Sequence, residues 1–315
     1  MEAEITMIEN VENRLKKPDK INEELLKRFT DFLDIAPKSV ATYQRAIRQL
    51  LSYIIGNGIS NPKREDFILF KKELEAQGKH PATIQNYLAA ARRFFQWTEQ
   101  MEIYPNITSN VKGVKLDKGF KKDYLTPQQI KSILSSVDRR NIEGLRNYAI
   151  LALMTTGGLR TVEIIRANVE DIRTVSGVSV LYIQGKGHTD KSDFIKLDSH
   201  VEMAIRNYLK ERGNLNGDAP LFASESRRNK GGRLTTRTIS GICKNSMRAA
   251  GYDSERLTAH SLRHTAVTLA LLGGESIEEV QCFARHQNIS TTQVYAHNLD
   301  RIRSHCESTI AAAIF

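Results

Sequence analysis

Apolar residues recur at helical spacing through most of the chain, and the breaks in that rhythm divide it. From Ile21 the positions Leu25, Leu26, Phe29, Phe32 and Leu33 form one stripe that stops before Pro37. A second helix is expected after Ser39, turning Val40, Tyr43, Ile47, Leu50, Leu51 and Ile54 inward and ending at the Gly56 and Gly58 turn. A third is expected over 64–76 on Phe67, Phe70 and Leu74, and a fourth over 82–101 on Ile84, Leu88, Ala91, Phe94, Phe95 and Trp97. These four helices predict a domain over 19–104. Residues 1–18 are charged and weakly patterned, as an N-terminal arm would be. Residues 105–122, with Pro105, Gly113, Gly119 and five lysines, read as a basic linker.

A second domain is expected over 123–315. Thr126 and Pro127 open a helix to about Val137, and a strongly apolar helix over 142–155 stops at Gly157 and Gly158. The period then shortens. Stretches 169–173, 178–183 and 193–197 alternate Val, Ile, Tyr and Phe with polar residues, which predicts a small antiparallel sheet. Helices follow over 199–212 and 235–250. Three short helices are then expected between 258 and 297, the first capped by Thr258, the second opened by a Ser276/Glu279 capping box, and the third by Ser290 and Gln293. A last helix over 299–315 ends in the apolar run Ile310 to Phe315, which either docks on a neighbouring protomer or folds back on its own domain. The fold class is therefore mainly α with a small antiparallel β-sheet in the second of two domains.

The charge balance narrows the partner. The 315 residues carry 46 Lys and Arg against 36 Asp and Glu, a net charge of +10, which attracts a polyanion or simply makes a basic surface. Basic and hydroxyl groups collect at two helix starts, Lys38 and Thr42 with Arg45, and Lys79 and Thr83 with Arg92. Such termini suit DNA phosphates, although Thr42 and Thr83 can equally satisfy first-turn backbone groups. Arg227 and Arg228, in a basic loop with Lys230 and Arg233, and Arg237 and Lys244, on the polar side of a helix, are further candidate contacts. The aromatics Phe94, Phe95 and Trp97 could stack bases, but their helical spacing predicts core packing. Cys243, Cys282 and Cys306 form neither a disulfide framework nor a zinc pattern, and no apolar run approaches a membrane span. A cytoplasmic protein with no membrane partner is expected.

The candidate chemistry lies in the second domain. A phosphodiester in transfer needs donors on its nonbridging oxygens, a proton donor for the leaving oxygen and a nucleophile in line. His260 and Arg263 fall three residues apart and so share a helix face, and a tyrosine, Tyr295, follows on the third short helix. Arg160 emerges from the glycine turn with Glu163 three residues on to hold it. Lys186, between Gly185 and Gly187 on a hairpin, can hand a proton to an alkoxide, with Lys191 as the rival. No metal-ligand cluster or phosphate-binding P-loop competes, which argues against a two-metal nuclease.

The segments HSLRH, RH and STTQVYAH resemble, in order and spacing, the motifs of the tyrosine recombinase family, the phage integrases and Xer-like enzymes. TGGLRTVEI resembles the family's first motif, with an extra glycine at Gly157. The resemblance implies a two-domain DNA clamp, a SAM-like helical core-binding domain plus a catalytic domain, in a simple Xer-like layout. It implies that Tyr295 attacks the scissile phosphate to form a 3′-phosphotyrosyl link while Arg160, Arg263 and His286 stabilise the phosphoryl group. His260 would then take the tyrosine proton and Lys186 would protonate the leaving oxygen, with Glu163 supporting the arginine and histidine. Neither metal, cofactor nor ATP is implied. The implied partners are double-stranded DNA with a specific recombination site, further copies of the chain to a tetramer, and a possible accessory protein. A type IB topoisomerase and a non-catalytic DNA-binding protein are the alternatives.

Overall fold

The computed structural model describes residues 21–115, 123–185, 190–303 and 305–315. Its contacts divide into two units, 1–119 and 120–315, each with its own core. Expected mainly α with one small sheet, the fold is borne out.

In the first unit four helices enclose one core: α1 (Glu23–Phe32), α2 (Pro37–Gly56), α3 (Arg64–Ala76) and α4 (Pro81–Gln100). Asn22 caps α1 by accepting from the Leu25 amide at 2.9 Å, and Pro37 occupies the first turn of α2, whose fixed φ starts that helix two residues before Ser39. Phe29 meets Phe94 edge-on, with ring centroids 5.3 Å apart, and Phe94, Phe95 and Trp97 are all buried. These aromatics are core and unavailable to bases. Phe32, expected inward, is exposed and leans on Trp97 from the last turn of α1. The expected linker begins later than its composition suggests. Ile107 and Val111 are buried in this core, and the Tyr104 hydroxyl lies 2.8 Å from the Pro62 carbonyl oxygen.

The second unit is built on α6 (Ile142–Gly157), which follows α5 (Pro127–Ser135) and is buried on nearly every side. After the short α7 (Thr161–Arg166) comes a meander of β1 (Ile172–Val175), β2 (Val178–Ile183) and β3 (Asp193–Lys196). Its register pairs Ile172 with Leu181 and Leu181 with Ile195, so that Leu181, Ile183 and Ile195 face the core. Residues 169–171, expected as the first part of a strand, form a 3₁₀ turn, because the Asp171 carboxylate accepts from the Asn168 amide at 2.7 Å and curls the chain. Helices α8 (Ser199–Arg212) and α9 (Thr236–Ala249) complete the scaffold under α10 (Ala259–Leu272), α11 (Ile277–Ala284) and α12 (Ile289–Arg303). The tail is a separate helix, α13 (Cys306–Ile314), and not one helix from 299 as expected. None of its residues is buried, and Ile310, Ile314 and Phe315 are exposed.

Candidate active site

The site begins at the end of α6. Gly158 caps that helix in the left-handed region at φ 57°, and a Cβ there would come within 3.2 Å of the Phe283 ring. Both facts require glycine. The turn delivers Arg160 to the N-cap of α7, where Glu163 grips it twice: Oε2 accepts from the Arg160 amide and Oε1 from Nη1, each at 2.8 Å. Glu163 is fully buried. Its second cation is Arg285, whose Nη2 lies 3.2 Å from Oε2. Glu163 therefore holds two arginines, the expected Arg160 and, beside it, Arg285.

Arg263 rises from the second turn of α10, 1 % exposed. Its Nη1 donates to the Gly158 carbonyl at 2.5 Å and its Nη2 to the Ala284 carbonyl, so one fork ties the end of α6 to the end of α11. Burial, then the charges of Arg160 and Arg285, pull its pKa down to about 10, and the group stays cationic at neutral pH. Thr258 heads α10, with the Ser261 hydroxyl accepting from its amide at 3.0 Å. His260 sits one turn before Arg263 at the exposed rim, lining a cleft of 350 Å³ with Leu159, Arg160, Val162 and Ser240.

The Ser276/Glu279 box opens α11 as expected, with the Glu279 amide donating to Ser276 Oγ at 3.2 Å. The start of α12 differs. Asn288 caps it, its Oδ1 accepting from the Ser290 amide at 2.8 Å, so Ser290 lies inside the first turn. The asparagine competes successfully because its carbonyl reaches two residues on. This register turns Thr292 fully inward, where its Oγ1 lies 2.9 Å from His286 Nδ1. Tyr295, 6 % exposed, stands between two imidazoles, with ring centroids 4.7 Å from His264 and 6.2 Å from His286. Burial raises the Tyr295 pKa, while Arg263 and Arg160 pull it the other way. Burial likewise pulls His264 and His286 down to about 4, helped in His286 by Arg263 and Arg160. Both imidazoles are neutral at rest.

Arg160, Glu163, His260, Arg263, His286 and Tyr295 thus come to one place from α7, α10, α11 and α12. Lys186 lies outside the described residues. Its neighbour Gly185 is held through its carbonyl by Arg166 Nη1 at 2.9 Å. The rival Lys191 is committed elsewhere, 2.5 Å from the buried Asp171 carboxylate. Sequence reading gave no role to Arg285, His264 or Thr292. The RH, HSLRH and STTQVYAH segments contain them, but the partners that give them meaning are tertiary.

The candidate DNA contacts divide by what they already hold. Lys38, Arg45, Arg227, Arg228 and Arg237 are exposed, while Lys79 and Thr83 are half-buried. Thr42 donates its hydroxyl to the Lys38 carbonyl at 2.9 Å, Arg92 donates to the Val111 carbonyl at 2.8 Å, and Lys244 pairs with Asp253 at 3.0 Å. Arg233 is structural: its fork reaches the Ile165 and Ala167 carbonyls and Asn168 Oδ1.

A buried tyrosine set among fixed guanidiniums and neutral imidazoles is an arrangement for phosphoryl transfer to a hydroxyl. The comparisons agree with that class. A sequence model described as "Phage integrase family" matches residues 123–301, and one described as "Phage integrase, N-terminal SAM-like domain" matches 26–101. The chain belongs to the phage integrase family. It is 27% identical over 292 residues to tyrosine recombinase XerD of Listeria monocytogenes serotype 4b (strain F2365), covering 87% of this chain and 94% of that protein. Tyrosine recombinase XerA of Pyrococcus furiosus is 29% identical over 275 residues, covering 87% and 90%. Among solved structures, the XerH site-specific recombinase bound to palindromic difH substrate shares the fold at a TM-score of 0.71 and 23% identity, over 85% of this chain and 80% of that one. The Tn1549 transposon integrase in complex with transposon right end DNA does so at 0.68 and 19%, over 89% and 99%. No helix among the described residues is long and apolar enough to cross a membrane.

Proposed function

We propose that the chain is a site-specific DNA recombinase that cuts and rejoins strands through a 3′-phosphotyrosyl intermediate. The observation that carries the reading is Tyr295 buried in the field of Arg160 and Arg263 on the same chain. The Tyr295 phenol oxygen attacks the scissile phosphorus in line, and the bond from phosphorus to the 5′ oxygen breaks. Arg160 and Arg263 carry the charge on the nonbridging oxygens. In this reading the Thr292 hydroxyl donates to Nδ1, so that the proton of neutral His286 sits on Nε2 and serves as a further donor. His260, at the open rim, takes the phenol proton, and Lys186 supplies one to the leaving 5′ oxygen. A 5′ hydroxyl from a second strand reverses the sequence. The phosphoester bond is conserved at each step, so the chemistry balances without ATP.

In this reading the helical domain grips the duplex together with the catalytic domain, as a clamp joined by the basic stretch that follows residue 111. The exposed Lys38, Arg45, Arg227, Arg228 and Arg237 follow phosphates, and Thr42, Lys79, Thr83, Arg92 and Lys244 contribute where their existing partners allow. Copies of the chain assemble on paired sites to a tetramer, with an accessory protein as a further possible partner, and the enzyme works in the cytoplasm. The neighbours support this, being recombinases and integrases with DNA. The test is covalent trapping on duplexes selected by the protein from random sequence and nicked beside the scissile phosphate. A slowed band on a denaturing gel is expected for the natural protein and none for Tyr295→Phe. Tight binding with no band from either protein would overturn the reading in favour of a non-catalytic DNA-binding protein.

A further inference from the structure

Arg285 occupies a backbone position suited to glycine. It follows α11 in the left-handed region at φ 54°, where a side chain is disfavoured and an arginine is unusual. Strain of this kind persists where surrounding contacts hold it, and here they are dense. Nη1 donates to the Phe283 carbonyl at 2.7 Å, and Nη2 lies 3.2 Å from both the Gly158 carbonyl and Glu163 Oε2. In the reverse direction the Arg285 carbonyl accepts from Arg160 Nη2 at 3.2 Å. The guanidinium is 10 % exposed, and its Nε is buried without a partner. Its two outer nitrogens are thus both engaged by protein acceptors.

We infer that Arg285 is a positioning residue: it locks the segment bearing His286 and Tyr295 onto the turn bearing Arg160, through the shared Glu163 carboxylate. Two links join the segments: the Arg160 guanidinium donates to the Arg285 carbonyl, and the Arg285 guanidinium reaches Glu163, the carboxylate that also holds Arg160. The next residue along is His286, and α12 with Tyr295 follows within four. Arg160 is oriented from both ends, by Glu163 and by the Arg285 carbonyl, and Arg285 fixes the position of both. The inference rests on the strand-cleavage reading and concerns how accurately that site is assembled.

Arg285→Gly is the clean perturbation, because glycine keeps the left-handed backbone and therefore the carbonyl offered to Arg160. On the nicked duplex, single-turnover cleavage at saturating protein is expected to slow about 10- to 100-fold, with DNA affinity changed by no more than about threefold because the guanidinium is buried. Arg285→Lys is expected to recover part of the rate by returning a cation beside Glu163. In a Glu163→Gln background, Arg285→Gly is expected to add little further loss, since the two side chains act through one contact. Cleavage by R285G at the natural rate would overturn the inference. So would a loss of DNA binding as large as the loss of cleavage, which would make Arg285 a phosphate contact, or fully additive effects with E163Q. Should R285G not fold, R285K carries the test: several-fold slower cleavage at unchanged binding supports the inference, and the natural rate overturns it. Absence of a Tyr295-dependent covalent band in the natural protein would strike the strand-cleavage reading itself, a separate result.

Discussion

Thr292→Val tests how His286 is prepared. The two side chains have nearly the same shape, and Thr292 is fully buried, so the substitution removes one hydroxyl and little else. That hydroxyl lies 2.9 Å from His286 Nδ1. Neutral imidazole carries its proton on one nitrogen or the other, and a donor at Nδ1 selects the form protonated at Nε2. Without it the wrong tautomer gains by roughly the net worth of one hydrogen bond, about 0.5–1.5 kcal/mol. If His286 must donate from Nε2 in the transition state, cleavage slows by about 2- to 12-fold, because about 1.4 kcal/mol is a factor of ten. Single-turnover cleavage of the nicked duplex reads the rate, and imidazole ¹⁵N shifts in the free protein read the tautomer. The expected pairing is a slower rate at unchanged DNA affinity with a shift toward protonated Nδ1. A changed tautomer with an unchanged rate would refute the role given to His286, and an unchanged tautomer would refute the role given to Thr292.

Three other outcomes follow from the same contacts. Folded His264 and His286 have pKa values near 4 against an ordinary 6.5, so between those values the unfolded chain binds protons that the folded imidazoles refuse. Stability should be full above about pH 6.5 and fall as pH drops toward 4, by at most about 3 kcal/mol for the buried His264, and thermal melting across that range would show it. If Lys186 is the acid, Lys186→Ala should abolish cleavage of ordinary DNA yet cleave a duplex with sulfur at the bridging 5′ position, since a thiolate leaves without a proton. Lys191→Ala should instead cleave both alike while losing about 3 kcal/mol of stability, because it removes the cation from the buried Asp171 carboxylate and leaves it the Asn168 amide. Removing 305–315 should leave the melting temperature of the isolated chain unchanged, because no residue of α13 is buried, and a large drop would show that the tail supports the fold.

What could be read from the sequence was what neighbours along the chain decide. Ser276 with Glu279, Thr258, Pro127 and the Gly157–Gly158 pair are local signals, and the helices they bound lie where expected. The apolar stripes likewise foretold two cores, down to Phe94 and Phe95. The reading fell short where two local signals competed or where distant contacts decide. Asn288 displaced Ser290 as a cap and Asp171 curled a predicted strand into a 3₁₀ turn, both over two or three residues, while residues expected as linker found burial in a core of distant helices through Ile107 and Val111. The site shows the same division. Spacing singled out Arg160, His260, Arg263 and Tyr295. Arg285 and His264 stand inside the RH and HSLRH segments without a role being legible there: that of Arg285 lies in a carboxylate 122 positions away, and His264 is wedged between the Tyr124 and Tyr295 rings.

The central claim is that one named oxygen bonds to DNA, and peptide mapping of the trapped complex tests it most directly. Trypsin cuts after Arg285 and Arg301, which releases Tyr295 in a fragment with no other tyrosine. Digestion of protein and DNA followed by mass spectrometry should find a 3′-nucleotide phosphate on Tyr295 in that fragment. An adduct on any other peptide, or one joined through a 5′ phosphate, would contradict the account.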